Sequence, residues 1–184
     1  MALSREQVVT TAVDILRRYG LADLTMRRLA RELDVQPGAL YWHVANKQEL
    51  LVEVAGRLLA AIPEPDPERP AEEALAAHAH ALREAVRHVP DGADVVALAH
   101  AVDPGSLGPV EDLVGLVGRA GVPPREREAV AEVVLHHVLG SVTTEHNQRI
   151  ALDLDPDFRA RDAAAVAKAF EVGLEVVLAG LRRA

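Results

Sequence analysis

Between Pro37 and Lys47 the chain reads PGALYWHVANK: a proline, two small residues, then Tyr41, Trp42 and His43 in succession, with a lysine just beyond. Three consecutive ring side chains cannot share one helix face, because neighbours on a helix surface lie three and four positions apart. Some of them must point outward. Outward phenol, indole and imidazole groups, together with Lys47, donate hydrogen bonds to phosphates or to base edges. Small residues such as Gly38 and Ala39 at a helix start let the backbone approach the floor of a major groove, and a helix N-terminus attracts phosphate. The chemistry available to this set is recognition of duplex DNA. A packed helical corner with Tyr41 and Trp42 buried is the alternative.

The flanking residues supply elements to hold such a set. Thr25 is an N-cap, and Leu29, Ala30 and Leu33 recur at helical spacing while Arg27, Arg28 and Arg31 take the other faces. Asp34, Val35 and Gln36 interrupt that helix, and Pro37 suits the first position of the next, which runs to about His43. Upstream, Ser4 and Gln7 form a capping-box pattern ahead of a stripe of Val8, Ala12, Ile15, Leu16 and Tyr19 that Gly20 ends. Downstream, Asn46 caps a fourth helix with Glu49 at its third position and Leu50, Leu51, Val54, Leu58 and Ile62 as its apolar stripe. The spacing therefore predicts a helix-turn-helix supported by helices on both sides.

The 184 residues are 49% hydrophobic, enough for a substantial core, and contain no cysteine, which excludes a disulfide framework and thiolate chemistry. No signal pattern opens the chain and no apolar run approaches a membrane span, so a cytoplasmic protein without a membrane partner is expected. Net charge is −8, but residues 1–62 carry eight Lys and Arg against seven Asp and Glu, and the rest carries twelve against twenty-one. The acid sits away from the proposed reading head. Arg17, Arg18, Arg27, Arg28, Arg31 and Lys47 supply phosphate-facing charge, and binding should weaken steeply with salt.

PEPDPERP, residues 63–70, breaks the helical pattern because proline lacks the backbone donor and clashes with the preceding turn. The expected domains are therefore 1–62 for DNA, a linker at 63–70, and a helical domain at 71–184. That second part reads as helices near 71–89, 92–102, 107–120, 124–148 and 160–183. Val130, Val134, Val138 and Val142 mark one face of the penultimate helix, and Ala131, Leu135 and Leu139 another, so one face can close a cavity while the other meets a partner. Gly140, Gly173 and Gly180 would permit close helix approach. No strand alternation is present, and the fold class is all α.

The LYWHV-x-NK pattern, extended as LYWHVANKQELL, resembles the TetR family of one-component transcriptional repressors, in particular its tetracycline-repressor subclass. HHVLGSVTTEHNQ and AFEVGLEVVLAGL are similar to the helices that build that subclass's dimerisation bundle. The resemblance implies a homodimer through the helices near 124–148 and 160–183, a palindromic double-stranded DNA operator as partner, and release by a small-molecule effector. It puts DNA contacts on Thr25, Met26, Arg27, Gln36, Pro37, Gly38, Ala39, Tyr41, Trp42, His43 and Lys47. Arg27 would read a guanine edge, since its guanidinium forks onto O6 and N7, while Tyr41, His43 and Lys47 hold phosphate. The sequence departs from the tetracycline repressor at the tip of the third helix, where PGA replaces Gln-Pro-Thr, and this alters the operator expected.

For the effector, aligning the shared DGA at Asp91–Ala93 puts Ala60 or Ala61, His78, Leu82 and Val96 where the tetracycline repressor holds its drug–magnesium chelate. The family's ligating His, Asn and Phe are absent there, unless His100 substitutes after a small shift, which points away from tetracycline. A mostly apolar pocket with His78, Leu82, His100, His137, Glu145 and Asn147 is expected for another small organic ligand, with no metal and no cofactor. His78 could equally be a hydrogen-bonded core histidine. No nucleophile elbow, phosphate-binding glycine loop or HExxH occurs, so an enzyme is not expected. A helical interaction or ligand-binding module without DNA binding is the remaining alternative.

Overall fold

The computed structural model describes residues 3–155, 157–159 and 161–181, and every α-helix or 3-10 turn within them belongs to an all-helical chain without strands among those residues. The helices are α1 (Arg5–Tyr19), α2 (Met26–Glu32), α3 (Pro37–Leu40), α4 (Lys47–Leu59), α5 (Ala71–Arg87), α6 (Gly92–Val102), α7 (Gly108–Arg119), α8 (Arg127–Leu154) and α9 (Ala163–Leu181). They fall into two compact units, residues 1–61 with 88–107, and residues 62–87 with 108–184.

Local chemistry sets the ends of the first unit's helices. Ser4 and Gln7 close a reciprocal capping box, with Gln7 N–H donating to Ser4 Oγ at 3.2 Å and Ser4 N–H to Gln7 Oε1 at 2.9 Å. Gly20 at φ 78° ends α1 and returns its N–H to Leu16 O. Thr25 Oγ1 caps α2 through Arg28 N–H at 3.1 Å, and Asn46 Oδ1 caps α4 through Glu49 N–H at 2.8 Å. Asp34, at φ 52°, makes the turn between α2 and α3. Val8, Ala12, Ile15, Leu16, Leu24, Leu29, Leu40, Val44, Leu50 and Val54 are buried as the core.

Four expectations change here. Tyr19 is not on the core stripe but about half exposed. The third helix stops at Leu40 rather than His43, and the chain continues as a turn with His43 N–H on Leu40 O at 2.9 Å. Helix α4 ends at Leu59, so Ile62 lies beyond it. Finally, residues 88–107 group with the N-terminal helices rather than with the C-terminal ones. The physical reason is that α6 buries Ala93, Val95, Val96 and Ala99 while packing on α4. Its N-terminus is bonded too: Asp91 Oδ2 accepts Leu21 N–H at 2.7 Å. A β-carbon on Gly20 would lie 2.7 Å from the same oxygen, so the turn after α1 needs glycine for space as well as for its backbone angle.

In the second unit α8 packs against α5, α7 and α9. A 3-10 turn at Pro124–Glu126 precedes α8, which starts later and runs further than expected; for the last helix, the expected ends at Ala160 and Arg183 lie outside the described residues. The two apolar faces read for α8 are largely one buried arc, because Ala131, Val134, Leu135, Val138, Leu139 and Val142 are all buried and Val130 is half-buried. The uncovered apolar groups are instead Val133, Ile150, Leu152 and Leu154 on α8 with Val172 and Val176 on α9. Of the three glycines, Gly173 alone has a close neighbour, since a β-carbon there would strike the His137 ring; nothing lies within 4 Å of one at Gly140 or Gly180.

Candidate DNA interface and effector region

Helices α2 and α3 present most of the expected DNA-reading set on the surface. Thr25, Arg27, Gln36, Pro37 and Gly38 are exposed; Met26, Ala39, His43 and Lys47 are half-buried. Trp42 is 89% exposed and Tyr41 53%, which excludes the packed corner within this chain. An indole that open gains nothing from the core. Gln36 occupies the N-cap of α3 without bonding its side chain to the helix, leaving that amide available, and nothing lies within 4 Å of a β-carbon at Gly38. Leu40 and Val44, both buried, anchor the segment from beneath.

The arginines divide. Arg17, Arg27 and Arg31 are exposed and form no ion pair among the described residues. Arg28, expected among the phosphate-facing charges, is instead built into the unit: it pairs with Asp23 and Glu32, and its guanidinium stacks 3.7 Å from the centre of the Tyr19 ring. This stack also accounts for the outward Tyr19. On the other side of the unit, Arg5 bridges Glu49 and Glu53 at 2.7 Å each, and Arg57 meets Glu6 at 2.6 Å, tying α1 to α4. The Ala45 N–H, then Arg5, hold the Glu49 carboxyl below its usual range; Arg57 does the same for Glu6.

The expected effector residues are divided between the two units. His100 belongs to the first unit, at the last turn of α6, whereas His78, Leu82, His137, Glu145 and Asn147 belong to the second. Leu82 is an ordinary core leucine and Asn147 is exposed. His78 is a bonded core histidine, 4% exposed, with Nε2 2.6 Å from Pro109 O across α5 and α7. His137 Nε2 lies 2.9 Å from Phe170 O, and its ring stacks on Phe170. Glu145 is taken up by ion pairs, with Arg83 at 2.8 Å and Arg87 at 3.3 Å. Neighbouring Glu84, with Glu145, raises the Arg87 pKa. Glu145, expected to line an effector pocket, is thus a partner of two arginines, as a largely buried Arg83 requires.

Sequence reasoning missed the hub of this unit, Phe170. His80 meets its ring edge-on, His137 stacks on it, and Arg83 lies 4.9 Å from its centre. It lines a cavity of about 240 Å³ between α8 and α9 with His136, His137, Ser141, Thr144 and Arg161. One signal was available: Phe170 is one of only two phenylalanines in the chain. A second hollow lies under residues 63–69 beside His78. Among the described residues no three His, Asp or Glu converge as metal ligands, and no helix is long and apolar enough to cross a membrane.

Comparison with known proteins assigns both parts of the chain to one family. Residues 8–54 match the family described as bacterial regulatory proteins, tetR family, and residues 64–167 match the tetracyclin repressor-like C-terminal domain. The class D tetracycline repressor of Escherichia coli is 32% identical over 155 residues, spanning 82% of this chain and 70% of that protein. BioQ of Mycobacterium smegmatis is 37% identical, with a TM-score of 0.85 over 98% of each chain. A structure of BioQ with its natural double-stranded DNA operator has a TM-score of 0.79 at 37% identity over 99% of each chain. ActR of Streptomyces coelicolor, solved in complex with (S)-DNPA, is 26% identical with a TM-score of 0.79 over 98% of each chain. With its outward Trp42 and unpaired Arg27 on a capped helix-turn-helix, the chain belongs to the tetR family of bacterial regulatory proteins and is a DNA-binding transcriptional regulator.

Proposed function

We propose that this regulator is a repressor that binds a palindromic operator as a homodimer, is released by a small organic ligand, and carries out no catalytic turnover. One observation carries it: Arg27, Gln36, Tyr41 and Trp42 stand exposed around the α2–α3 turn while Leu40 and Val44 fix that turn from below. Rigid support with free polar tips is what groove recognition needs. Arg27 reads a base edge, Tyr41, His43 and Lys47 hold phosphate, and Thr25, Met26, Pro37, Gly38 and Ala39 form the close-fitting surface around them. The operator complex of BioQ supports this mode of binding, and the (S)-DNPA complex of ActR supports a small-molecule effector.

Uncovered Val133, Val172 and Val176 on α8 and α9 favour pairing of two copies through those helices. Two third helices then reach successive major grooves about one helical turn apart. Ligand and operator must oppose each other by equal factors, because linkage is reciprocal. Selection of bound duplexes from a random library tests the proposal. A two-fold symmetric consensus, bound more weakly as salt rises, is the expected result; enrichment of no sequence would refute it.

A further inference from the structure

We infer that Arg28 is a positioning residue for base recognition: it fixes the roll of α2 that carries Arg27 to the operator. This role rests on the base reading given to Arg27 above.

Little else fixes that roll. Helix α2 has seven residues, about two turns, and so short a helix does not hold its shape in water by itself. It buries Leu29 and Ala30 alone. These are sequence neighbours, roughly 100° apart around the axis, so they choose an inward side while leaving the helix able to rock on it. The same spacing puts Arg27 and Arg31 on one flank of the outward side and Arg28 with Glu32 on the other. A roll of about 10° moves a group at the helix's outer radius of about 5–6 Å by about 1 Å. A recognition group has to be held to within about 0.5 Å. Small rotations of α2 therefore matter to Arg27 long before they matter to folding.

Arg28 supplies the missing restraint. Its guanidinium pairs with Asp23 in the turn before α2, lies 3.8 Å through Nε from Glu32 at the end of α2, and stacks 3.7 Å from the centre of the Tyr19 ring at the end of α1. Thr25 Oγ1 accepts its backbone N–H at 3.1 Å. One residue thus ties α2 to α1, to the connecting turn and to its own last residue. The planar fork serves two carboxylates while its face meets a ring, which a lysine ammonium does not do. Asp23 and Glu32 are both exposed, and ion pairs to exposed partners stabilise little. What the cluster contributes is orientation. With two carboxylates answering its charge, Arg28 is not itself a phosphate ligand, whereas exposed Arg27 forms no ion pair among the described residues.

Anisotropy of the full chain on a duplex selected from a random library, and on duplexes with symmetric single-pair changes, tests this. Arg28→Lys should lose about fivefold in discrimination at the symmetric position that Arg27→Ala affects, and keep it elsewhere. In the Arg27→Ala background the same lysine substitution should cost no further discrimination. Tyr19→Phe, which keeps the ring, should match wild type, and Tyr19→Leu should reproduce part of the Arg28→Lys loss. Thermal midpoints should move by no more than about 4 °C in these variants. A loss spread evenly over all duplexes, equal losses with and without Arg27, or a larger fall in midpoint would overturn the positioning role. So would a shallower salt dependence in Arg28→Gln, which marks a phosphate contact instead. Full discrimination retained by Arg27→Ala fails the base reading itself; loss in Arg27→Ala with none in Arg28→Lys fails the role of Arg28 alone.

Discussion

In the first unit Arg27, Gln36, Tyr41 and Trp42 are exposed on short capped helices, whereas in the second Arg83, Glu145, His78 and His137 are buried or half-buried and bonded to each other or to backbone. The polar groups of the reading head have been left free by a scaffold that is complete without them. Those of the second unit are part of the scaffold. Substitution should therefore separate stability from function in the first unit and confound them in the second.

The largest effect expected is in the second unit. Glu145→Ala leaves the Arg83 guanidinium, only 8% exposed at its side chain, without its 2.8 Å partner, and should destabilise the protein by about 3 kcal/mol in denaturant unfolding. Glu145→Gln keeps an oxygen acceptor and should cost less. Next comes Gly20→Ala, which combines a φ of 78° with a β-carbon 2.7 Å from Asp91 Oδ2; a loss of about 2 kcal/mol is expected, read as a lower thermal midpoint. Trp42→Ala should do the reverse, changing stability by no more than about 0.5 kcal/mol while weakening binding to selected duplexes. A large stability loss at Trp42 would erase the contrast between the units.

The smallest effect is electrostatic. Glu6 and Glu49 are held below the usual carboxylate range by Arg57 and by Ala45 N–H with Arg5, respectively. A depressed carboxylate contributes stability that is present above its unfolded pKa, roughly pH 4.3, and is lost as pH falls through the lower folded value. Thermal unfolding should therefore show a modest acid loss below about pH 4, reduced in Glu49→Gln. These groups are surface pairs, so high salt should blunt the difference.

The same contrast explains what could be read in the sequence. Ser4, Gly20, Thr25 and Asn46 mark helix ends through bonds spanning a few residues, so one short stretch of sequence contains both partners. That some of Tyr41, Trp42 and His43 must point outward could be read from their adjacency, but not which of them, nor that α3 stops before them at Leu40. Arg28 on Tyr19, by contrast, looked like free charge because stacking across the turn between α1 and α2 has no sequence pattern. Glu145 with Arg83, 62 positions apart, and His137 with Phe170, 33 apart, are pairings that only packing creates. The packing of α6 on α4 was not legible for the same reason: its small apolar residues do not say that α4 is their partner.

The most direct measurement compares wild type and Arg27→Ala on the selected duplex and on a set bearing symmetric single-pair changes, by anisotropy across salt. Arg27→Ala is expected to lose discrimination at one symmetric position, by about 1–3 kcal/mol, and to keep it elsewhere. Identical binding and discrimination in both proteins would contradict the exposed α2–α3 surface as the reading head.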